Sequence, residues 1–195
     1  MELHHHIEDF AKAVGSEEIE IYNEFSLQHE LGLFLRNRLN NCKVQFERNV
    51  SHFNLSKSAL EKKEIDIVIT SLDSPVSLSA IELKYPRNGQ VPESMFNFCK
   101  DIAFLEQLVK AGFKSAYFLA LVDHRHFYSG SGKGIYGHFR DGVPITGKIA
   151  KPTGVKNHEI TIEGSYVVSW LRVSDETKFC LIRVCPPVSC SRDSL

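Results

Sequence analysis

Residues 64–84 place ionisable side chains inside the most apolar strands of the chain, and this constrains its folding more than any other feature. Residues 64–70 read Glu-Ile-Asp-Ile-Val-Ile-Thr, with Asp66 set in a β-branched run, and residues 77–84 read Ser-Leu-Ser-Ala-Ile-Glu-Leu-Lys. The stretch between them, Ser-Leu-Asp-Ser-Pro at 71–75, is turn chemistry, so the two runs predict an antiparallel hairpin. Alternate strand residues point the same way, which puts Glu82 and Lys84 on one face with Ala80 and Leu78 behind them. Left unpaired in a buried setting, each charge would carry a serious desolvation cost.

Two arrangements relieve that cost. One is a structural ion pair of Lys84 with Asp66 or Glu82. The other is a divalent cation: two carboxylates and a backbone carbonyl can hold a hard ion such as Mg²⁺, with water completing the shell. Such an ion lowers the pKa of a bound water and neutralises charge on a phosphate under attack. Lys84 would then stand beside the water and the phosphate and stabilise transition-state charge.

The surroundings predict an α/β domain. Leu27, Leu31, Phe34 and Leu35 form one stripe of a helix over 24–39, and 43–50 reads as a strand. A second helix is expected over 94–111, with Phe98, Ile102, Leu105 and Val109 on one face and Gly112 ending it. The continuous apolar run at 115–122 predicts a strand covered on both faces, parallel to 77–84 across the helix. Residues 124–157 read as long basic loops with one short element. Strands are expected at 159–173 and 178–184, followed by a frayed tail.

Asp66 followed by Glu82-Leu83-Lys84 at the end of the next strand resembles the Asp…(Asp/Glu)-x-Lys signature of the PD-(D/E)xK, or restriction-endonuclease-like, nuclease superfamily. Ile65 stands where the motif's proline would be. The resemblance spans about residues 24–122. It implies a mixed central sheet flanked by helices in αβββαβ order; the length of the chain suits one domain over 1–195. The resemblance also implies Mg²⁺-dependent phosphodiester hydrolysis, with Mn²⁺ able to substitute. Asp66, Glu82 and Lys84 would be catalytic, and Asp66, Glu82 and the Leu83 carbonyl would hold the metal. The family's further acid on the first helix matches Glu30 best and Glu24 second. DNA is the expected substrate and RNA the alternative, and a homodimer would suit cutting of both strands. A catalytically silent module that binds nucleic acid or protein is the other reading.

The chain has 195 residues and a net charge of −1, which hides an uneven distribution. Residues 110–156 carry Lys110, Lys114, Arg125, Lys133, Arg140, Lys148, Lys151 and Lys156 against Asp123 and Asp141. Lys100, Lys133 and Arg140 are the candidates for phosphate contacts. Asp101, Glu106 and Gln107 read first as solvent-facing helix positions and second as groups beside the hairpin. Asp123-His124-Arg125-His126 follows the apolar strand, and the segment 129–134 fails the Walker pattern because no Ser or Thr follows Lys133. Five cysteines, an odd number with no zinc spacing, read as free thiols. No apolar run reaches the roughly 20 residues of a membrane span. With no basic and apolar leader at the start, a cytoplasmic protein is expected.

Overall fold

The computed structural model describes residues 3–55, 60–73, 78–87, 89–154 and 158–185. The expected turn residues 74–75, Lys156, Cys190 and the tail beyond 185 lie outside them. Two helices come first, α1 (Leu3–Gly15) and α2 (Glu24–Arg38), followed by strands β1 (Cys42–Asn49), β2 (Glu64–Ser71) and β3 (Leu78–Lys84). Helix α3 (Val91–Lys110) leads to β4 (Ser115–Val122), and a short helix α4 (Tyr136–Arg140) to the hairpin β5 (Ile145–Ala150) and β6 (Glu159–Tyr166). Strands β7 (Leu171–Arg172) and β8 (Lys178–Val184) are the last elements of the described residues.

The result is an α/β fold with a mixed central sheet flanked by helices. Six strands run in the order β1-β2-β3-β4-β8-β7. β2 and β3 are antiparallel, with Ile67 opposite Ile81, whereas β3 and β4 are parallel, as a strand–helix–strand connection requires. β4 is buried along its whole length, and its side chains alternate between two cores. Ala116, Phe118, Ala120 and Val122 face α3 and the β5–β6 hairpin. Tyr117, Leu119 and Leu121 face α1 and α2.

Two local choices position the elements. The side chain of Asn23 caps α2 by accepting from the Ser26 N–H at 2.7 Å, and Ser26 Oγ accepts from the Asn23 N–H at 3.0 Å. Gly32 lets α2 lie close on β1, since a Cβ there would sit 2.1 Å from Cζ of Phe46.

Three expectations need correction. α3 begins at Val91 rather than 94, because Pro92 fits the first helical turn, where its missing N–H leaves no bond unmade. The long strand expected at 159–173 is two strands, and β6 pairs with β5 in a separate two-stranded sheet rather than with the central one. The 124–157 region holds a 3-10 turn (Arg125–Phe127), α4 and β5 rather than one short element. Among the described residues no helix is long and apolar enough to cross a membrane.

Candidate active site

The ladder between β2 and β3 ends at Ile67–Ile81, and beyond that pair the side chains take over the backbone's hydrogen bonds. Asp66 Oδ2 accepts from the Leu83 N–H at 2.7 Å, while Glu82 Oε1 lies 3.4 Å from the Asp66 nitrogen and accepts from it. β1 skips the same place, since Phe46 faces Ile67, Arg48 faces Ile65, and Glu47 between them takes φ +49. Gln28 on α2 bridges the gap, donating from Nε2 to the Asp66 carbonyl at 2.9 Å and to Glu47. Glu24, Phe25, Gln28, Glu47, Asp66 and Leu83 enclose a cavity of about 70 Å³ at this opened end of the sheet.

On the α3 side, charged groups converge. Glu82 is fully buried, and Asp101 projects from α3 with only 4% of its surface exposed. The ammonium of Lys62 bonds Glu82 Oε2 and stands 3.2 Å from Asp101 Oδ1 and 3.9 Å from Asp66 Oδ1. Lys84 Nζ donates to the Leu83 carbonyl at 2.7 Å, and lies 3.4 Å from Asp101 Oδ2 and 3.5 Å from Glu24 Oε1. Glu24 also accepts from the Tyr85 N–H at 3.0 Å, which ties the start of α2 to the end of β3.

The electrostatics are unbalanced. Among the described residues four carboxylates (Glu24, Asp66, Glu82, Asp101) meet two ammoniums (Lys62, Lys84), leaving two negative charges uncompensated when all are ionised. Burial, with Asp66 and Asp101 adding to it, pushes the Glu82 carboxyl well above the usual carboxylate range, and Lys62 only partly offsets this. Burial likewise raises Asp101, against the pull of Lys84 and Lys62. Burial works against the charge on both lysines, yet the surrounding carboxylates win and raise each pKa, so both remain ammonium ions. Asp101 Oδ2 is buried and makes no hydrogen bond among the described residues; the Lys84 ammonium, at 3.4 Å, is its neighbouring charge.

The arrangement brings together Asp66, Glu82, Lys84 and the Leu83 carbonyl. It does not bring in Glu30, which is half-buried and pairs with His29 at 3.2 Å; the helix acid at the site is Glu24. Asp101, read first as solvent-facing, is in the cluster. Its signal was present, since it falls on the face of Phe98, Ile102 and Leu105. Lys62 was not anticipated. It precedes Asp66 by four residues, so in an extended chain both project to one side.

The remaining candidates have structural places. Glu106 is buried and clasps β6, accepting from the N–H groups of Glu163 and Gly164 and the hydroxyl of Tyr166. Gln107 accepts from the Glu61 N–H at 2.9 Å. Lys100 is half-buried on α3, turned about 100° from Asp101. Lys133 is exposed beside Arg140, whose guanidinium is engaged by the carbonyls of His126 and Ser131 and stacks 3.8 Å from the Tyr136 ring centroid. Among the described residues neither forms an ion pair with the carboxylate cluster. Asp123 pairs with Arg87, and His124 Nδ1 accepts from the His126 N–H, closing the 3-10 turn.

No family model, curated protein or solved structure matches the chain. Among the described residues no three His, Cys, Asp or Glu side chains stand as a ready metal cage. The oxygens that converge do so on the Lys62 ammonium. The donor set nonetheless suits a hard divalent cation: it is all oxygen and, among the described residues, carries surplus negative charge.

Proposed function

We propose that the protein hydrolyses phosphodiester bonds of nucleic acid in a metal-dependent reaction, as a nuclease of the PD-(D/E)xK kind with DNA as the expected substrate. The observation that carries this reading is the convergence of Asp66, Glu82 and Asp101 where β2 and β3 part, with Lys84 alongside on Asp101. The element order α2-β1-β2-β3-α3-β4 is that of the αβββαβ core. Asp66, Glu82 and the Leu83 carbonyl would hold Mg²⁺ or Mn²⁺, which when bound supplies Lewis acidity toward phosphate and water. Lys84, kept charged by Asp101 and Glu24, acts as a hydrogen-bond donor and positive charge for the phosphoryl oxygens rather than as a base. Asp101 and Glu24 position that ammonium. Phe25 and Tyr22, exposed on either side of Glu24, offer rings to unstacked bases next to the cut.

The test is cleavage of plasmid, single-stranded DNA and RNA with Mg²⁺, Mn²⁺ or EDTA. Wild type is assayed beside Asp66→Ala and Lys84→Ala. Metal-requiring cleavage that falls by roughly 10²–10³-fold in Lys84→Ala is expected. Absence of cleavage of every substrate under both metals, with the fold intact, would overturn it.

One observation favours a silent binding module instead: a chain-borne ammonium already neutralises Glu82. That alternative expects salt-sensitive nucleic-acid binding indifferent to Mg²⁺ and to Asp66→Ala.

A further inference from the structure

The two lysines of the cluster do different things. Lys84 lies to one side, between the Leu83 carbonyl, Glu24 and Asp101. The Lys62 nitrogen stands where Glu82, Asp101 and Asp66 converge. An ammonium carries three N–H donors and no acceptor, so three carboxylate neighbours are the full complement of one positive ion. Mg²⁺ asks for the same oxygens at about 2.0–2.1 Å, well inside the distances an ammonium keeps, and the two cations cannot share the position.

The backbone that delivers Lys62 is fixed on both sides. The Glu61 N–H donates to Gln107 on α3, and the Lys63 carbonyl accepts from the Val50 N–H at 2.9 Å. The movable part is therefore the four-carbon stem. Its side chain is 27% exposed while that of Glu82 is fully buried, so Lys62 borders water where the carboxylate does not.

We propose that Lys62 is a built-in occupant of the cation position, and that a divalent metal binds by displacing its ammonium from Glu82, Asp101 and Asp66. This rests on the preceding reading that these carboxylates take a divalent cation. The consequence is a threshold. Metal affinity is lowered by the fraction of molecules in which Lys62 is seated, so the site fills at a higher metal concentration than its bare carboxylates would need.

The experiment uses the full chain without nucleic acid and Mn²⁺ as the probe, with free Mn²⁺ followed by electron paramagnetic resonance. Lys62→Met, which keeps the stem's bulk and removes the charge, is expected to bind Mn²⁺ at least about tenfold more tightly than wild type. A nearby charge that never leaves its place would also weaken binding, so a second readout is needed. Trace acetylation of wild-type lysines, read by mass spectrometry, is expected to find Lys62 protected without metal and reactive once Mn²⁺ saturates. This holds even if Lys62→Met does not fold. Equal or weaker Mn²⁺ binding by a folded Lys62→Met, or Lys62 reactivity that ignores saturating Mn²⁺, overturns the proposal and leaves the metal site standing. No Mn²⁺ bound by either protein overturns both. Displacement of Lys62 without cleavage of any nucleic acid supports this inference and counts against the nuclease reading alone.

Discussion

Phe25 leaves 79% of its surface in water and Tyr22 leaves 65%, while Glu24 between them reaches into the charged cluster. A single exposed aromatic needs no explanation, but Phe25 lines the cavity beside Asp66, where its ring can act as a platform. Stacking of a base on an aromatic ring contributes about 1–3 kcal/mol and tolerates any sequence. Phe25→Ala is therefore expected to raise KM for a single-stranded oligonucleotide by at least about fivefold, with kcat little changed. The melting temperature should hold, because the ring buries almost nothing in the fold. Steady-state kinetics and a thermal melt check both, and an unchanged KM would remove the platform from the substrate site.

At the scale of elements, the β5–β6 hairpin packs its isoleucines in the α3 core and is clasped there by the buried Glu106. Glu106 satisfies the Glu163 and Gly164 N–H groups and the Tyr166 hydroxyl at 2.9, 2.7 and 2.9 Å, on an element buried on most of its surface. Glu106→Ala strands these donors, so a loss of about 2–3 kcal/mol is expected in urea unfolding, with Glu106→Gln losing less. A loss under about 0.5 kcal/mol would mean that water replaces the carboxylate. α2 and α3 were legible in the sequence from their apolar stripes, and β2, β3 and β4 from apolar runs of strand length bounded by polar or turn residues. β5 was not: only its Ile145 and Ile149 are buried, and its register slips before Gly147. Glu24 and Glu30 flank one helical stripe but lie about 9 Å apart along the axis, and only the docking of α2 on the strand ends selects Glu24. Lys62 sits in the polar run Glu61-Lys62-Lys63-Glu64, where no period singles it out. Its role is wholly a matter of tertiary contact.

For the molecule as a whole, the cluster is an internal cost that a cation would relieve, and this makes stability depend on pH and metal together. Burial, then Asp66 and Asp101, raise the Glu82 pKa above the 4.5 of a free glutamate, and burial raises Asp101 as well. Once pH passes the ordinary carboxylate range, the native state holds protons that the unfolded chain has released. Stability of the metal-free fold therefore falls as pH rises from there through the raised values. A divalent cation takes the place of those protons, so its stabilisation should grow over the same interval. At a hundredfold excess over Kd a ligand adds about 2.7 kcal/mol, or roughly 5–10 °C of melting temperature for a chain of this size. Mn²⁺ is expected to produce that shift at pH 8, a clearly smaller one at pH 5.5, and none in Asp66→Ala. Scanning calorimetry of the three samples decides it. A shift as large at pH 5.5 as at pH 8 would mean that the ion binds away from the buried carboxylates, and a shift retained in Asp66→Ala would place it elsewhere on the molecule.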